Sequence, residues 1–184
     1  MLLFHNLHYD SMKKTKAFFA GAVAIAMMAV SLPACSDDDD NNGINNVPEA
    51  FVNALKKVEP DAKDVKWETE GAYRVAEFKK NMVDYDVWFD ANAAWAMTEK
   101  DFGKDFFLVP DNAVNAAFAK GEYGTWTVDD ISYYKQTTDE FYVIEVETAG
   151  QPDMDLFYTT GGEMIKAVPS ASVPDILPTT VISR

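Results

Sequence analysis

Cysteine and histidine are almost absent from this sequence of 184 residues, which holds one cysteine, Cys35, and two histidines, His5 and His8. A single cysteine excludes an internal disulfide framework. Both histidines lie in the N-terminal segment, residues 1–34, that we expect to be removed. The remaining chain would then lack the Ser-His-Asp and Cys-His nucleophile systems and the usual zinc ligands. General base chemistry would fall to carboxylates or lysines.

Basic residues are also scarce, since 16 Lys and Arg face 30 Asp and Glu, for a net charge of −14. Nucleic acids and anionic lipid headgroups both require clustered positive charge, so we expect no nucleic acid partner. Apolar residues make up 48% of the chain, which excludes wholesale disorder. The length suits one domain or two small ones.

Long hydrophobic runs are missing as well, because the apolar run of residues 17–30 is shorter than the roughly 20 residues that span a bilayer. The run follows a short basic segment that starts at Met12, the layout of a secretory signal peptide. Residues 31–35 resemble a bacterial lipobox, in which a signal peptidase cuts before a cysteine that becomes lipidated. We therefore predict a signal peptide at 1–34, with Met12 as the true start, and a lipid anchor on Cys35.

An acidic, polar segment follows this cysteine. It resembles the export signal that sends some Gram-negative lipoproteins to the outer face of the outer membrane, and it consists of Ser36, Asp37, Asp38, Asp39 and Asp40. Residues 35–46 hold almost no apolar side chains, so we expect the lipidated cysteine and a flexible tether there. These features predict a surface-exposed outer membrane lipoprotein, or otherwise one that faces the periplasm.

The tether also matches the calcium-loop pattern D-x-[DN]-x-[DN]-G-x5-E, with Asp38, Asp40, Asn42 and Glu49 as side-chain ligands. No helix can precede a loop that starts so soon after the lipidated Cys35, and a run of Asp and Asn meets this pattern easily. We therefore expect no metal and no cofactor. A calcium- or small-ligand-binding lipoprotein stays as the alternative function.

A repeated pattern follows the tether. Residues 47–49 and 109–111 each place a proline and an acidic residue where a helix would begin. Further matches follow in the same order, pairing 64–67 with 130–133, 73–78 with 141–146, and 86–89 with 155–158. We predict two tandem repeats, 47–108 and 109–168. The tail, 169–184, would be a truncated third copy, a short capping helix or a plain tail.

Each repeat shows helical periodicity first and strand periodicity later. The apolar helix positions are Phe51, Ala54, Leu55 and Val58 in the first copy, and Val114, Ala117 and Phe118 in the second. In the first copy Tyr85, Val87 and Phe89 then alternate with Asp86 and Trp88, which is typical of a half-buried strand. We predict an α+β fold, in which each repeat is one helix plus an antiparallel meander and the helices pack on one face of a curved antiparallel sheet.

This pattern resembles the PepSY-like, beta-lactamase-inhibitor-like family of small exported bacterial proteins. The matching residues are 47–50, 60–62, 65–68, 73–78, 85–92 and Trp95. The second copy departs from the family pattern at 123–126 and 159–162. The resemblance implies tandem helix-and-strand units in a curved sheet, and it implies no catalytic residues.

A candidate binding face follows from the strand alternation, because Trp88 points away from the helices if its neighbours point toward them. The predicted face consists of Trp88, Phe157, Tyr134, Asp86 and Asp155. Exposed aromatic clusters are typical of recognition surfaces. The alternative is that the partner repeat or the C-terminal tail covers this face. We expect Trp67, Trp95 and Tyr73 to be core residues.

These observations together predict a non-enzymatic, lipid-anchored cell-envelope protein that recognises an unidentified protein or peptide through this aromatic, acidic face. A carboxylate-based hydrolase is a further alternative, with acids drawn from 129–130 and 139–140. It would need two carboxylates about 5–10 Å apart in a cleft. We expect both pairs to be solvated at turns and strand ends. A shared fold would not imply inhibition of a beta-lactamase.

Overall fold

The computed structural model describes residues 47–182. Within them the chain forms two α-helices, α1 (Glu49–Val58) and α2 (Asn112–Lys120), and one 3-10 helix, Ser170–Ser172. The eight strands are β1 (Lys66–Glu70), β2 (Tyr73–Lys80), β3 (Val83–Phe89), β4 (Trp95–Asp101), β5 (Thr127–Gln136), β6 (Glu140–Glu147), β7 (Met154–Thr159) and β8 (Met164–Pro169). The predicted signal peptide, the lipidated cysteine, the export signal and most of the calcium loop lie outside the described residues.

The strands form a single antiparallel sheet in which each strand pairs with the next along the chain, from β1 to β8. Helix α1 precedes β1–β4 and helix α2 precedes β5–β8, with β4 paired to β5 in the middle of the sheet. The predicted α+β class with an antiparallel sheet is therefore confirmed. That the two halves are repeats of one unit stays a prediction.

The two helices pack on one face of the sheet, which we call the helix face. Phe51 and Leu55 of α1 and Val114 and Phe118 of α2 are buried there in one cluster with residues of the strands. The turns of α1 suit its dipole, because Glu49 lies in the first turn and Lys56 and Lys57 in the last. Both prolines, Pro48 and Pro110, were predicted to lie in the first helical turn. The N-caps are Pro48 in α1 and Asp111 in α2, so both prolines precede that turn.

Alternation in β3 divides its side chains between the two faces of the sheet. Tyr85, Val87 and Phe89 belong to the helix-face cluster, and Trp88 belongs to a second cluster on the opposite face. This confirms the predicted direction of Trp88. Trp67 and Trp95 are partly buried against the helix-face cluster, whereas Tyr73 packs against the second one.

The C-terminal tail crosses the opposite face after β8 and the 3-10 helix. Residues 173–182 form neither helix nor strand. A turn is closed by the Thr180 N–H donating to the Leu177 carbonyl at 2.8 Å, and the Leu177 N–H donates to Thr180 Oγ1 at 2.9 Å. Neither a short capping helix nor the helix of a third copy is therefore formed in residues 173–182.

Candidate functional site

All five residues of the predicted binding face lie on the face of the sheet away from the helices. Trp88, Tyr134 and Phe157 share the second core cluster. Asp86 and Asp155 alternate with residues that face the helices, so they point to the same side. The structure therefore brings these five residues to one face of the sheet.

The predicted exposure of the aromatic residues is wrong. Trp88, Tyr134 and Phe157 are exposed by only 4%, 7% and 1%. Neighbouring rings account for part of this burial. Tyr134 stacks on Phe141 with ring centroids 5.3 Å apart, and Phe141 lies 6.1 Å from Phe157. The alternation of residues along a strand fixes the side on which a ring lies, but it does not show what covers that ring.

Other cover comes from Tyr73, whose ring centroid lies 5.9 Å from that of Trp88, from Lys166, whose Nζ lies 4.5 Å from the Phe157 ring centroid, and from the C-terminal tail. We call residues 173–182 the strap, and the buried residues beneath it the aromatic half of the face, namely Val75, Trp88, Met97, Tyr134, Phe141, Val143 and Phe157. Val173, Ile176 and Ile182 of the strap pack against these residues. Gln136 Nε2 donates to the Leu177 carbonyl at 3.0 Å. Ser170 Oγ, just before the strap, donates to Asp155 Oδ1 at 2.5 Å.

One polar atom in this region has no partner. The indole Nε1 of Trp88 is buried without a hydrogen bond, and it is the single such side-chain atom found in residues 47–182. Buried polar groups in native structures are nearly always bonded. The cluster that the strap packs on therefore holds a buried N–H with no acceptor.

The other part of the opposite face is acidic. In the register of β2, β3 and β4, Glu77 pairs with Asp86 and Asp86 pairs with Glu99. In the next row of the same face, Asp84 pairs with Asp101. We call these five half-buried residues the acidic half. Like charges directly opposite one another on neighbouring strands repel, and a lysine at the end of each row offsets part of this repulsion: Lys66 pairs with Glu77, and Lys79 Nζ lies 3.2 Å from Asp84 Oδ2.

Two further carboxyls border the acidic half, and their pKa values show how crowded the charges are. A hydrogen bond with Glu77, then burial and the charge of Glu77, raise the pKa of Glu68 to about 7. Burial, followed by the charge of Asp101, raises the pKa of Asp130 to about 8, although Ser132 donates to Asp130 Oδ2 at 3.0 Å. Protonation of both groups near neutral pH relieves part of the repulsion.

The two halves of the face meet at Tyr134. Its ring lies in the aromatic half, and its hydroxyl donates to Glu99 Oε1 in the acidic half at 2.8 Å. Burial, and then the neighbouring Glu99, raise the pKa of Tyr134 well above its usual value, so its hydroxyl stays a donor. The buried aromatic half and the half-buried acidic half are therefore in direct contact.

The structure does not bring the two predicted acid pairs of a hydrolase together. Asp129 and Asp130 lie near the start of β5, whereas Asp139 and Glu140 lie beside its far end, where β6 begins. Asp130 is five residues from Lys135, the partner of Glu140, which separates the pairs by about 17 Å along the strand. Asp139 and Glu140 line a surface hollow of about 260 Å³, below the usual size of small-molecule pockets.

Two further findings concern residues 47–182. No group of three or more His, Cys, Asp or Glu side chains there is arranged to hold a metal ion. In the same residues neither helix has the length and apolarity that crossing a membrane requires, since α1 has 10 residues and α2 has 9.

Sequence reasoning missed most of the acidic half and the whole strap. A signal for the first was present, because Asp84 lies two residues before the predicted Asp86 and so shares its face. Glu77, Glu99 and Asp101 needed the pairing register, which no local pattern shows. The strap carries no periodicity, so its contact with a distant part of the chain leaves no local signal.

The chain is similar to known proteins in both sequence and fold. A family model described as "Putative beta-lactamase-inhibitor-like, PepSY-like" matches residues 72–166. The fold is similar to that of a BLIP-like protein from Bacteroides fragilis, at 33% identity and a TM-score of 0.64, over 76% of this chain and 97% of that one. No curated protein matches the chain.

Two other solved structures are similar. A DUF2874 family protein from Bacteroides ovatus is 30% identical with a TM-score of 0.62, over 72% of this chain and 94% of that one. A protein from Bacteroides eggerthii described as periplasmic is 29% identical with a TM-score of 0.58, over 67% of this chain and 89% of that one.

Proposed function

The chain belongs to the PepSY-like, beta-lactamase-inhibitor-like family, and from that premise we propose that it is a non-enzymatic binding module of the cell envelope. Its ligand is a protein or peptide, bound at the face of the sheet away from the helices. The family description, which names an inhibitor-like domain, supports binding in place of catalysis. Which protein it binds is a separate matter, because a shared fold does not fix a partner.

The observation that carries this proposal is the row of paired carboxyls in the acidic half. Glu77, Asp86 and Glu99 are direct neighbours on three adjacent strands, where their like charges repel one another. A partner surface with lysines or arginines would relieve this repulsion on binding. We therefore propose a basic partner surface, since complementary charge gives such an encounter both specificity and speed.

The test is a capture experiment with matched variants. The bait is the mature chain with Cys35→Ser, incubated with cell-envelope extract and growth medium. One variant, Glu77→Gln/Asp86→Asn/Glu99→Gln, removes three charges from the acidic half. The control, Glu49→Gln/Glu122→Gln/Glu163→Gln, removes three charges from exposed residues elsewhere.

We expect the bait and the control variant to capture the same protein. The acidic-half variant should bind that protein at least about tenfold more weakly, with binding that also falls as salt rises. Equal binding by both variants would reject the acidic half as the recognition surface. Capture of no protein from either source would reject the binding module.

The lipid anchor on Cys35 is a second part of the proposal, and it rests on the lipobox and the acidic segment after it. In cells, we expect Cys35→Ser to move the protein from the membrane fraction to the soluble fraction. Replacing Asp37, Asp38, Asp39 and Asp40 by Asn should leave it in the membrane but hide it from protease added to intact cells. A wild-type protein found only in the soluble fraction would contradict the anchor.

The tandem repeat is a third part. We propose that the halves α1–β4 and α2–β8 are copies of one helix-and-four-strand unit, because each helix precedes four consecutive strands and the matched segments fall on corresponding strands. Trp88 and Phe157 then occupy the same position in the two copies, and both lie in the aromatic half. Alignment of related sequences should show the two halves resembling each other in this register.

A further inference from the structure

The strap lies on the aromatic half as an irregular segment. Residues 173–182 add no strand to the sheet. Its apolar contacts with the face come from three branched side chains, Val173, Ile176 and Ile182, and its Leu177 carbonyl accepts a hydrogen bond from Gln136. A segment held mainly by a few side chains opens at lower cost than the strands beneath it.

The strap is also an incomplete match to the surface that it covers. In the cluster on which the strap packs, the Nε1–H of Trp88 is buried without an acceptor. The strap also leaves other apolar side chains of its own in solvent, since Val181 is 82% exposed and Leu177 is 39% exposed. A segment that offers an acceptor to Trp88 would bind the same surface better, because an unmade buried hydrogen bond is costly.

From these observations we infer that the aromatic half is a peptide-binding groove, that the strap is its occupant in the free protein, and that an extended apolar segment of a partner protein binds there by displacing the strap. This inference rests on the proposed function and specifies part of the same face. The strap acts as an internal competitor, so the apparent affinity for the partner falls by the fraction of chains in which the groove is closed.

The surface also defines the chemistry of the displacing segment. Its side chains would be branched and apolar, in the places of Val173, Ile176 and Ile182. Its backbone would offer one carbonyl to Gln136 and one acceptor to Trp88. A lysine or arginine next to the apolar stretch would reach the acidic half, because Asp86 lies two residues from Trp88 on β3 and Glu99 bonds to Tyr134.

The experiment uses the strap itself as the probe. A fluorescent peptide with the sequence of residues 173–182, VPDILPTTVI, is titrated with the mature chain, and its anisotropy is measured. The loosened variant is Ile176→Asp/Ile182→Asp, which removes two packed side chains. The control variant is Thr179→Asp/Val181→Asp, which makes the same change at two exposed positions of the strap.

We expect the loosened variant to bind the peptide at least about tenfold more tightly than the wild type and the control variant do, because its groove is open. The same peptide with Ile176→Asp/Ile182→Asp should not bind. The inference is overturned if the loosened variant unfolds cooperatively and yet binds the peptide no better than the wild type. Equal binding of the two peptides would overturn it too.

If the loosened variant does not fold, hydrogen exchange in the wild type shows whether the strap opens while the sheet stays folded. Amides of the strap should then exchange at least about 100-fold faster than those of β3 and β6, since the strap opens without global unfolding. Equal protection would show that the strap cannot be displaced. Failure of this inference differs from failure of the proposed function, because peptide binding reports on the groove and charge-dependent capture reports on the acidic half.

Discussion

The helix face and the opposite face of this sheet differ in what they contain and in what covers them. Two regular helices cover the helix face, and its core is almost entirely apolar and aromatic. The opposite face carries a smaller apolar cluster beside paired carboxyls, and an irregular strap covers only the cluster. The helix face therefore stabilises the fold. The opposite face combines buried apolar side chains with neighbouring carboxyls that repel one another, as recognition surfaces do.

The largest expected effect belongs to the helix face. Phe89 is fully buried between Phe51 and Trp67, with ring centroids 6.4 and 6.0 Å away. Phe89→Ala should lower the free energy of unfolding by about 3–5 kcal/mol, because it leaves a cavity between two elements that cannot close over it. Urea denaturation measures this loss, and a value below about 1 kcal/mol would contradict the central role of this face.

A smaller loss of stability is expected for a substitution in the strap itself. Ile182→Ala should lower the free energy of unfolding by about 1–2 kcal/mol, which is less than a buried isoleucine usually gives, because the strap can detach while the sheet stays folded. Its neighbour Val181 is 82% exposed, so Val181→Ala should change stability by less than about 0.5 kcal/mol. If the two variants unfolded at the same urea concentration, the strap would contribute nothing to stability.

The third prediction concerns pH and separates the acidic half from the helix face. Below pH 8 the folded chain keeps a proton on Asp130, which the unfolded chain releases near its ordinary pKa of 3.8. Stability from this group therefore falls as pH rises toward about 8 and then levels off. Glu68 acts in the same direction, because its folded pKa is about 7.

We expect the melting temperature to be about 4 °C lower at pH 9 than at pH 6, the shift that roughly 1–2 kcal/mol gives in a domain of this size. Asp130→Asn should remove most of that difference. Asp153→Asn, at an exposed carboxyl before β7, is the matched control and should preserve it. A melting temperature that rises from pH 6 to pH 9 would show that the folded chain does not retain these protons.

The smallest change in stability is expected at a fully exposed aromatic residue. Phe107, in the loop between β4 and α2, is 99% exposed, whereas its neighbour Phe106 stacks on Phe118 with ring centroids 5.3 Å apart. Phe107→Ser should therefore change the free energy of unfolding by less than about 0.5 kcal/mol. Phe106→Ser, the matched control, should cost at least about 2 kcal/mol. Similar losses from both would contradict this assignment of the two rings.

Much of the fold could be predicted from the sequence, because helices and strands leave patterns among residues that are close together in the chain. The spacing of Phe51 and Leu55 indicates a helix with one apolar side, and the alternation around Val87 indicates a strand that is buried on one side. The same alternation places Trp88 correctly on the opposite face. Such patterns depend only on neighbours within a few residues, so they can be recognised in a single sequence.

The state of the candidate site could not be predicted in the same way. The cover of the Trp88 cluster includes residues 173–182, about 90 residues later, and a segment rich in proline and threonine shows no period that would reveal its contacts. The acidic half depends on the pairing of three strands, since a shift of one residue in register would separate Asp86 from Glu77 and Glu99.

The most direct test of the account is hydrogen exchange of the mature chain, measured free and bound to the protein that it captures. We predict slower exchange in β2, β3 and β4, where the acidic half lies, together with faster exchange in the strap as the partner replaces it. Slower exchange confined to α1, α2 and the loop between β4 and α2 would place the binding surface on the helix side, and would contradict the assignment of recognition to the opposite face.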